Sequence, residues 1–223
     1  MRPVVLLLAL VAASTSPALA QERAAPPTAT AAATATPTAA ARGSLRGRVR
    51  LAVPGVRIED MGALVVFLDG REGRLAYDIP AAVPKIHQRD ARFIPGFLIV
   101  AAGQSVEMPN DDAIVHNVFS YSKPNEFDLK TYPGDTSTTV TLRHPGVVRV
   151  YCSIHASMNA TIFVAPSPYA CRAGPDGAFE IPDVPAGEYM LRTWNHPLPP
   201  QAIPIVVKPG APTEVAVAIG ESR

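Results

Sequence analysis

The sequence predicts an all-β protein in which a β-sandwich is followed by a smaller, sandwich-like β-module. Short apolar runs alternate with period two, and Gly, Pro and Asn residues separate them at regular intervals. The chain shows no long amphipathic helical pattern after its first 20 residues. Strands of this length and spacing are typical of antiparallel sandwiches and barrels.

The first 42 residues are expected to lie outside the folded part. Residues 1–20 combine Arg2, a short apolar run and a small-residue cleavage site at Ala18 and Ala20, the pattern of a secretory signal peptide. The apolar run is too short to span a bilayer. We therefore expect a periplasmic or otherwise exported protein with no membrane-spanning segment after the leader is removed. Residues 21–42 are rich in Ala, Thr and Pro and predict a disordered linker.

The charge balance excludes one class of partner. The chain carries 20 Lys and Arg against 19 Asp and Glu, and removal of the leader takes away only Arg2. The remaining chain is formally neutral, whereas nucleic-acid binding requires a basic footprint. No nucleic-acid partner is expected.

Residues 43–165 are predicted to form the main β-domain. Residues 45–51 alternate apolar and polar side chains, as a half-buried strand does, and residues 63–68 form a continuous apolar run suited to a strand buried on both faces. Residues 71–92 contain Pro80 and Pro84 and predict an irregular excursion. The remaining strands of this domain are predicted at residues 93–100, 104–108, 137–142, 147–151 and 160–164.

Residues 166–223 are predicted to form the small β-module. Turn signals at Asp176-Gly177 and Pro185 precede strand patterns, and two further apolar runs follow at 202–207 and 213–219. So short a segment makes only a marginal core of its own. It should therefore pack against the first domain, with help from the strands near residues 45–68.

Four side chains predict a metal site. Cys152, His155 and Met158 follow one another at three-residue intervals directly after a predicted strand, and His116 lies upstream between apolar residues. Two imidazole nitrogens, one thiolate and one weak thioether are the ligand set of a blue-copper electron-transfer site. Zinc is a poorer fit because it does not favour thioether and its structural sites usually contain more Cys.

Each of these side chains has an expected role around one copper ion. Cys152 is expected to supply the thiolate, His116 and His155 the other two equatorial ligands, and Met158 the axial one that adjusts the potential. His155 lies in a loop beside Ile154 and Ala156. An imidazole edge exposed within this apolar collar is a natural exit for electrons.

Other interpretations of the same residues remain open. Two cysteines in an exported protein also predict a disulfide between Cys152 and Cys171. His87, His144 and His196 are too scattered to predict a second metal site. Asp111-Asp112 is interpreted as a turn cap before the His116 strand rather than as a pair of reactive carboxylates.

Residues 93–164 resemble the cupredoxins, the superfamily of plastocyanin, azurin and amicyanin. The resemblance lies in Phe93-x-Pro95, in 103–106 leading to 109–111, in His116-Asn117-Val118, in Pro145-Gly146, and in Tyr151-Cys152-x2-His155-x2-Met158. It implies a Greek-key β-sandwich with copper near one end. It also implies that Asn117 ties the two ligand loops together and shields the thiolate. Many members carry Pro between Cys and His, whereas Ser153 and Ile154 stand here.

Residues 171–219 resemble a carboxypeptidase-regulatory or transthyretin-like β-module. The matching residues are Asp176-Gly177-x-Phe179 and Val184-Pro185-x-Gly187-x-Tyr189. This resemblance implies a structural or docking role and no catalytic residues.

The sequence therefore predicts an exported type 1 copper protein that transfers single electrons between redox proteins docking near His155. It is not expected to be an enzyme, because no further His cluster, nucleophile elbow or phosphate-binding loop is found. The alternative is a copper storage or delivery protein, or a β-sandwich interaction module without an electron-transfer role.

Overall fold

The computed structural model describes residues 41–196 and 198–220. The predicted signal peptide and nearly all of the predicted linker, residues 21–42, lie outside this range. The all-β prediction is confirmed: the described chain forms sixteen strands, with one short 3-10 turn at Ile58–Met61. The strands are β1 (Arg42–Leu51), β2 (Val65–Gly70), β3 (His87–Arg89), β4 (Arg92–Ile94), β5 (Phe97–Ala101), β6 (Ser105–Asn110), β7 (His116–Ser120), β8 (Phe127–Tyr132), β9 (Thr136–Thr141), β10 (Gly146–Tyr151), β11 (Asn159–Ala165), β12 (Ala170–Arg172), β13 (Ala178–Pro185), β14 (Gly187–Trp194), β15 (Ala202–Val207) and β16 (Pro212–Ile219).

These strands form two sandwiches of two sheets each. In the first sandwich, a sheet of order β4-β3-β6-β9 packs on one of order β5-β11-β10-β7-β8. In the second sandwich, a sheet of order β12-β2-β14-β15 packs on one of order β13-β1-β16. Within the first sandwich, the chain passes from one sheet to the other between β4 and β5, β5 and β6, β6 and β7, β8 and β9, and β9 and β10.

The alternation of side chains explains why these strands build a sandwich. Along β6, Val106, Met108 and Asn110 are buried and the residues between them are half-buried. Because successive side chains of a strand point to opposite faces, one face of the sheet enters the core. Val106 and Met108 meet Ile162 and Val150 from the opposite sheet in the core of the first sandwich.

The two sandwiches pack on each other through a third apolar layer, here called the central layer. Along β11, Ile162 and Val164 face the core of the first sandwich, whereas Phe163 faces the second sandwich. Along β2, Val66 and Leu68 face the core of the second sandwich, whereas Val65 faces the first. The central layer comprises Val65, Phe163 and Ala165 with Phe67, Phe97, Ile99, Val147, Ala170 and Trp194. Both strands are therefore buried on both faces, as their continuous apolar runs require.

The structure divides the chain differently from the predicted boundaries of 43–165 and 166–223. Strand β1 pairs with β13 and β16, and β2 pairs with β12 and β14, so both early strands complete the C-terminal β-unit. The first sandwich therefore begins with β3, and the C-terminal strands gain the partners that their small core requires. The predicted help from the strands near residues 45–68 takes the form of direct pairing.

No helix in the described part of the chain is long and apolar enough to cross a membrane.

Candidate metal centre

The loop between β10 and β11 gathers three of the predicted ligands at one end of the first sandwich. Strand β10 ends at Tyr151 and β11 begins at Asn159, so Cys152, His155 and Met158 all lie in the connection. The Met158 N–H donates to the His155 carbonyl at 2.9 Å, and the Cys152 N–H donates to the Met158 carbonyl at 3.2 Å. These two bonds fold the loop back on itself and hold it compact.

His116 reaches the same end from a neighbouring strand. It is the first residue of β7, which pairs with β10 through Phe119 and Tyr151. The His116 side chain is fully buried, and its ring lies 4.9 Å from the ring of His155, centroid to centroid, in an edge-on arrangement. The β7–β10 pairing thus brings a residue that is remote in sequence against the Cys152 loop.

Three potential donor atoms converge here. One ligand atom from each of His116, Cys152 and His155 lies within 4.8 Å of the other two. The Nδ1 atoms of both histidines are buried and have no hydrogen-bond partner. Buried polar atoms are nearly always paired, so two unpaired nitrogens beside a thiol fit a bound metal ion. Their chemistry, two imidazoles with one thiol, suits copper.

Met158, the fourth predicted ligand, is buried in the core of the first sandwich. It is only 1% exposed and belongs to the same buried cluster as Cys152, which is 5% exposed. Its carbonyl is bonded to Cys152, so its backbone is tied to the proposed thiolate residue. Its assignment as the axial ligand stays a prediction.

Asn117, beside His116, hydrogen-bonds the loop that contains Cys152. Its Oδ1 accepts hydrogen bonds from the Ser153 N–H at 2.7 Å and from the Ser153 hydroxyl at 2.9 Å. The Ser153 hydroxyl therefore adds a second bond to this link. Contacts of this kind orient the ligands of metal sites.

Asp112 contacts the candidate site through His116, which its place in the sequence did not reveal. Its Oδ2 lies 2.8 Å from His116 Nε2, and its two carboxylate oxygens also accept the N–H groups of Asp90, at 2.7 Å, and Ala91, at 3.0 Å. Burial alone raises the pKa of Asp112, but these two N–H groups and the His116 ring hold that pKa below its ordinary value. The expectation that Asp112 caps the turn before His116 is therefore wrong, because its side chain bonds the turn between β3 and β4 and the His116 ring. The available signal was a carboxylate four residues before a candidate ligand.

Three exposed apolar side chains adjoin His116 and His155 in the sequence. Ile114 and Val115, just before His116, are 50% and 48% exposed, and Ile154, just before His155, is 48% exposed. His155 itself is only partly buried. The expected apolar surroundings of a partly accessible imidazole are therefore present.

The alternative disulfide between Cys152 and Cys171 is not formed in the structure. Cys152 and Cys171 are both free thiols, and they belong to different sandwiches. Cys171 lies on β12, opposite Val66, where burial raises the pKa of its thiol to about 11.

The remaining histidines take no part in a donor cluster. Among residues 41–196 and 198–220, the group formed by His116, Cys152 and His155 is the one set of three or more metal-ligating side chains. His87 instead bonds Asp111, with 2.8 Å between Nδ1 and Oδ2.

Comparison with known proteins identifies structural neighbours but no family. No family model matches the chain, and no curated protein does. A purple cupredoxin from Nitrosopumilus maritimus is 20% identical over 37% of this chain and 99% of its own, with a TM-score of 0.34. A reduced Cu(I) amicyanin is 16% identical over 44% of this chain and 97% of its own, with a TM-score of 0.36.

A copper-containing nitrite reductase from Thermus scotoductus is a third neighbour. It is 18% identical over 52% of this chain, but only 28% of its own length is covered, with a TM-score of 0.36. At these identities and TM-scores, the function has to be argued from this chain's own side chains. The chain is an all-β protein with a His–Cys–His donor set, of which His116 and Cys152 are buried and His155 is partly buried, at one end of a sandwich.

Proposed function

We propose that the chain is an exported protein that binds one copper ion at His116, Cys152, His155 and Met158 and transfers single electrons between redox proteins. The observation that carries this proposal is that one ligand atom from each of His116, Cys152 and His155 lies within 4.8 Å of the other two, while Nδ1 of both imidazoles is buried without a hydrogen-bond partner. A copper ion bound there would supply a one-electron couple between its cuprous and cupric forms.

The task of the protein is then to keep its ligands in one arrangement through repeated electron transfers. Asn117 links β7 to the Cys152 loop, and two backbone bonds close that loop on itself. His116 is additionally fixed through its Nε2. A site built on paired strands and closed loops resists rearrangement, which suits an electron carrier better than a site on a mobile loop.

The path of electrons and the place of docking follow from exposure. His116 and Cys152 are buried, whereas His155 is partly exposed and Ile154 beside it is half-exposed. The His155 edge is therefore the proposed exit, and the apolar residues around it form the surface on which redox proteins dock. Encounters of this kind usually bury a small area and are transient.

The proposal includes no bond-making reaction, and it assigns the second sandwich a structural or docking role. Export rests on the leader-like pattern of residues 1–20. The resemblance of residues 171–219 to transthyretin-like modules is part of the proposal, since it implies that same role.

Adding Cu(II) to the purified protein tests the proposal. An intense visible absorption from thiolate-to-copper charge transfer is expected, and Cys152→Ser should abolish it because the sulfur donor is lost. Cys171→Ser is the matched control and should keep the band, because its thiol lies in the other sandwich. A colourless wild-type protein, or a band that survives in Cys152→Ser, would end the assignment.

Stopped-flow kinetics separates an electron carrier from a copper-delivery protein. A carrier should be reduced and reoxidised quickly while keeping its copper in the presence of a chelator. Slow electron exchange together with ready transfer of copper to the chelator would instead support storage or delivery.

A further inference from the structure

The carboxylate of Asp112 lies between a proposed copper ligand and a strained turn. One of its oxygens, Oδ2, is 2.8 Å from His116 Nε2 and also accepts the Ala91 N–H at 3.0 Å, while Oδ1 accepts the Asp90 N–H at 2.7 Å. The side chain is only 14% exposed. Bulk water therefore screens its charge less than it would screen a surface carboxylate.

This contact decides which nitrogen of His116 carries the proton. An ionised carboxylate can only accept hydrogen bonds, so the Nε2 atom facing Asp112 has to be the donor. In the neutral ring the other nitrogen, Nδ1, then holds a free lone pair. Nδ1 is the buried atom of His116 that lacks a partner, and the imidazole stands in the cluster with Cys152 and His155.

Asp112 is itself held in place from several sides. Its backbone N–H donates to Asn110 Oδ1 at 3.1 Å, and Asn110 Nδ2 donates to the Ile114 carbonyl at 2.9 Å. The turn that it binds contains Asp90 and Ala91, with φ values of 53° and 52°. Non-glycine residues rarely adopt this left-handed conformation without support. The carboxylate cannot turn away from His116 without releasing this turn.

We propose that Asp112 is a positioning residue of the metal centre, which holds His116 in the tautomer with Nδ1 free and favours the cupric over the cuprous ion through its negative charge. This inference rests on the proposed copper function. A carboxylate behind a ligating imidazole fixes the ring and raises its basicity. The more highly charged ion gains more from an added negative charge, so the carboxylate should lower the reduction potential.

Asp112→Asn tests the charge while keeping the shape of the side chain. Loss of such a contact typically costs about 10-fold to 100-fold in metal affinity. If the loss falls on Cu(II) alone, the reduction potential rises by about 59 mV for each factor of ten. Voltammetry and competition titration with Cu(II) measure the two effects independently of any electron-transfer assay.

Asp111→Asn is the matched control. Asp111 is the neighbouring carboxylate, but it bonds His87 at 2.8 Å and Arg89 at 2.9 Å, both on β3. The control removes a carboxylate contact to the same β3–β4 hairpin without touching His116. We expect it to leave the potential and the Cu(II) affinity unchanged. Equal shifts in both variants, or none in Asp112→Asn, would overturn the assigned role of Asp112.

The tautomer is measured on the metal-free wild-type protein, so the test does not depend on a variant that folds. The ¹⁵N NMR shifts of His116, recorded at a pH where the ring is neutral, should show the proton on Nε2. A proton found on Nδ1 would refute the positioning role. If the wild type gives no thiolate-to-copper band, the copper function fails; if the band is present but Asp112→Asn matches the wild type, only the role of Asp112 fails.

Discussion

The two sandwiches follow the same building rule but treat their buried polar groups differently. In the second sandwich, Ser167, Thr193 and Asn195 are buried and each bonds to backbone groups. Asn195 Oδ1 lacks a partner there, yet it belongs to no cluster of metal-ligating side chains in the described ranges. In the first sandwich, the Nδ1 atoms of His116 and His155 are both unpaired, and both imidazoles belong to one donor cluster with the Cys152 thiol.

This difference separates polar groups that serve the fold from polar groups that serve chemistry. An unpaired buried polar group costs about 1–3 kcal/mol, so a sandwich that keeps two of them together would gain stability by losing them. The second sandwich shows that this architecture can bond its buried polar side chains to the backbone. Gln88 Oε1, Arg192 Nε and Asn195 Oδ1 also lack hydrogen-bond partners, so the feature that fits a bound ligand is that the two His nitrogens belong to one cluster with a thiol.

The largest expected effect concerns the layer that joins the two sandwiches. Phe163 packs on Phe67 with 5.3 Å between ring centroids and on Trp194 with 5.1 Å. Replacing such a buried ring by Ala costs about 3–5 kcal/mol. Calorimetry of Phe163→Ala should show this loss and a separation of the unfolding of the two sandwiches into two transitions.

Copper sharpens that experiment because only the first sandwich is proposed to bind it. At a thousandfold excess over the Kd, a ligand stabilises the state that binds it by about 4 kcal/mol. In Phe163→Ala, copper should raise the melting temperature of the first sandwich and leave that of the second sandwich unchanged. Tyr121→Ala is the control, because this side chain is 80% exposed and its loss should cost less than about 0.5 kcal/mol. A single transition that copper shifts as a whole would contradict the expected uncoupling.

A smaller effect is expected at Met158, within the first sandwich. Met158→Gln should keep the copper but lower the reduction potential, because an amide oxygen is a harder donor than a thioether and favours the cupric ion. A tenfold change in relative affinity corresponds to about 59 mV for one electron, and a shift of this order is expected by voltammetry. An unchanged potential would remove Met158 from the proposed ligand set.

The last predicted effect concerns the reactivity of Cys171, in the second sandwich. Burial raises the pKa of this thiol to about 11, so thiolate forms only as the pH rises towards that value. At pH 8 about one thiol in a thousand is ionised, and alkylation should be about a hundredfold slower than for a thiol of ordinary pKa.

Iodoacetamide labelling of Cys152→Ser, in which Cys171 is the remaining cysteine, measures this rate as a function of pH. The rate should increase steadily between pH 8 and pH 11. Labelling that is already fast and independent of pH at pH 8 would show that the thiol is neither buried nor protonated as described.

Local patterns were sufficient to predict most strands. The alternation in residues 45–51 and the apolar run at 63–68 correspond to β1 and β2, and the runs ending at Tyr151 and Val164 correspond to β10 and β11. Period-two alternation arises because one face of the strand is buried, and it can be recognised from consecutive residues alone. Strand β8 was not predicted, although Phe127, Asp128, Leu129 and Lys130 alternate in the same way.

Pairing between distant strands could not be predicted in the same way. Strand β1 contacts β16 in parallel and β13 in antiparallel, although both lie more than a hundred residues further along the chain. Nothing in the local pattern of β1 distinguishes these partners from the strands of the first sandwich, since any apolar face would satisfy it. The predicted boundary at residue 43 was therefore placed by sequence order instead of by contact.

The candidate site also has one part that the local sequence reveals and another that depends on tertiary contacts. The spacing of Cys152, His155 and Met158 was visible because one short loop holds them. The role of Asp112 depends on the approach of the β3–β4 turn and on the direction of the His116 ring. Both are set by tertiary packing, so a carboxylate that follows a strand is indistinguishable in sequence from an ordinary turn residue.

The central layer also limits which molecules can reach the first sandwich. The second sandwich covers β5 and β11 on the outer face of their sheet, through Phe97, Ile99 and Phe163. That flank is therefore closed to any other protein that would bind the first sandwich. A large molecule that approached from this side would collide with the second sandwich, so its exclusion is steric and needs no side-chain recognition.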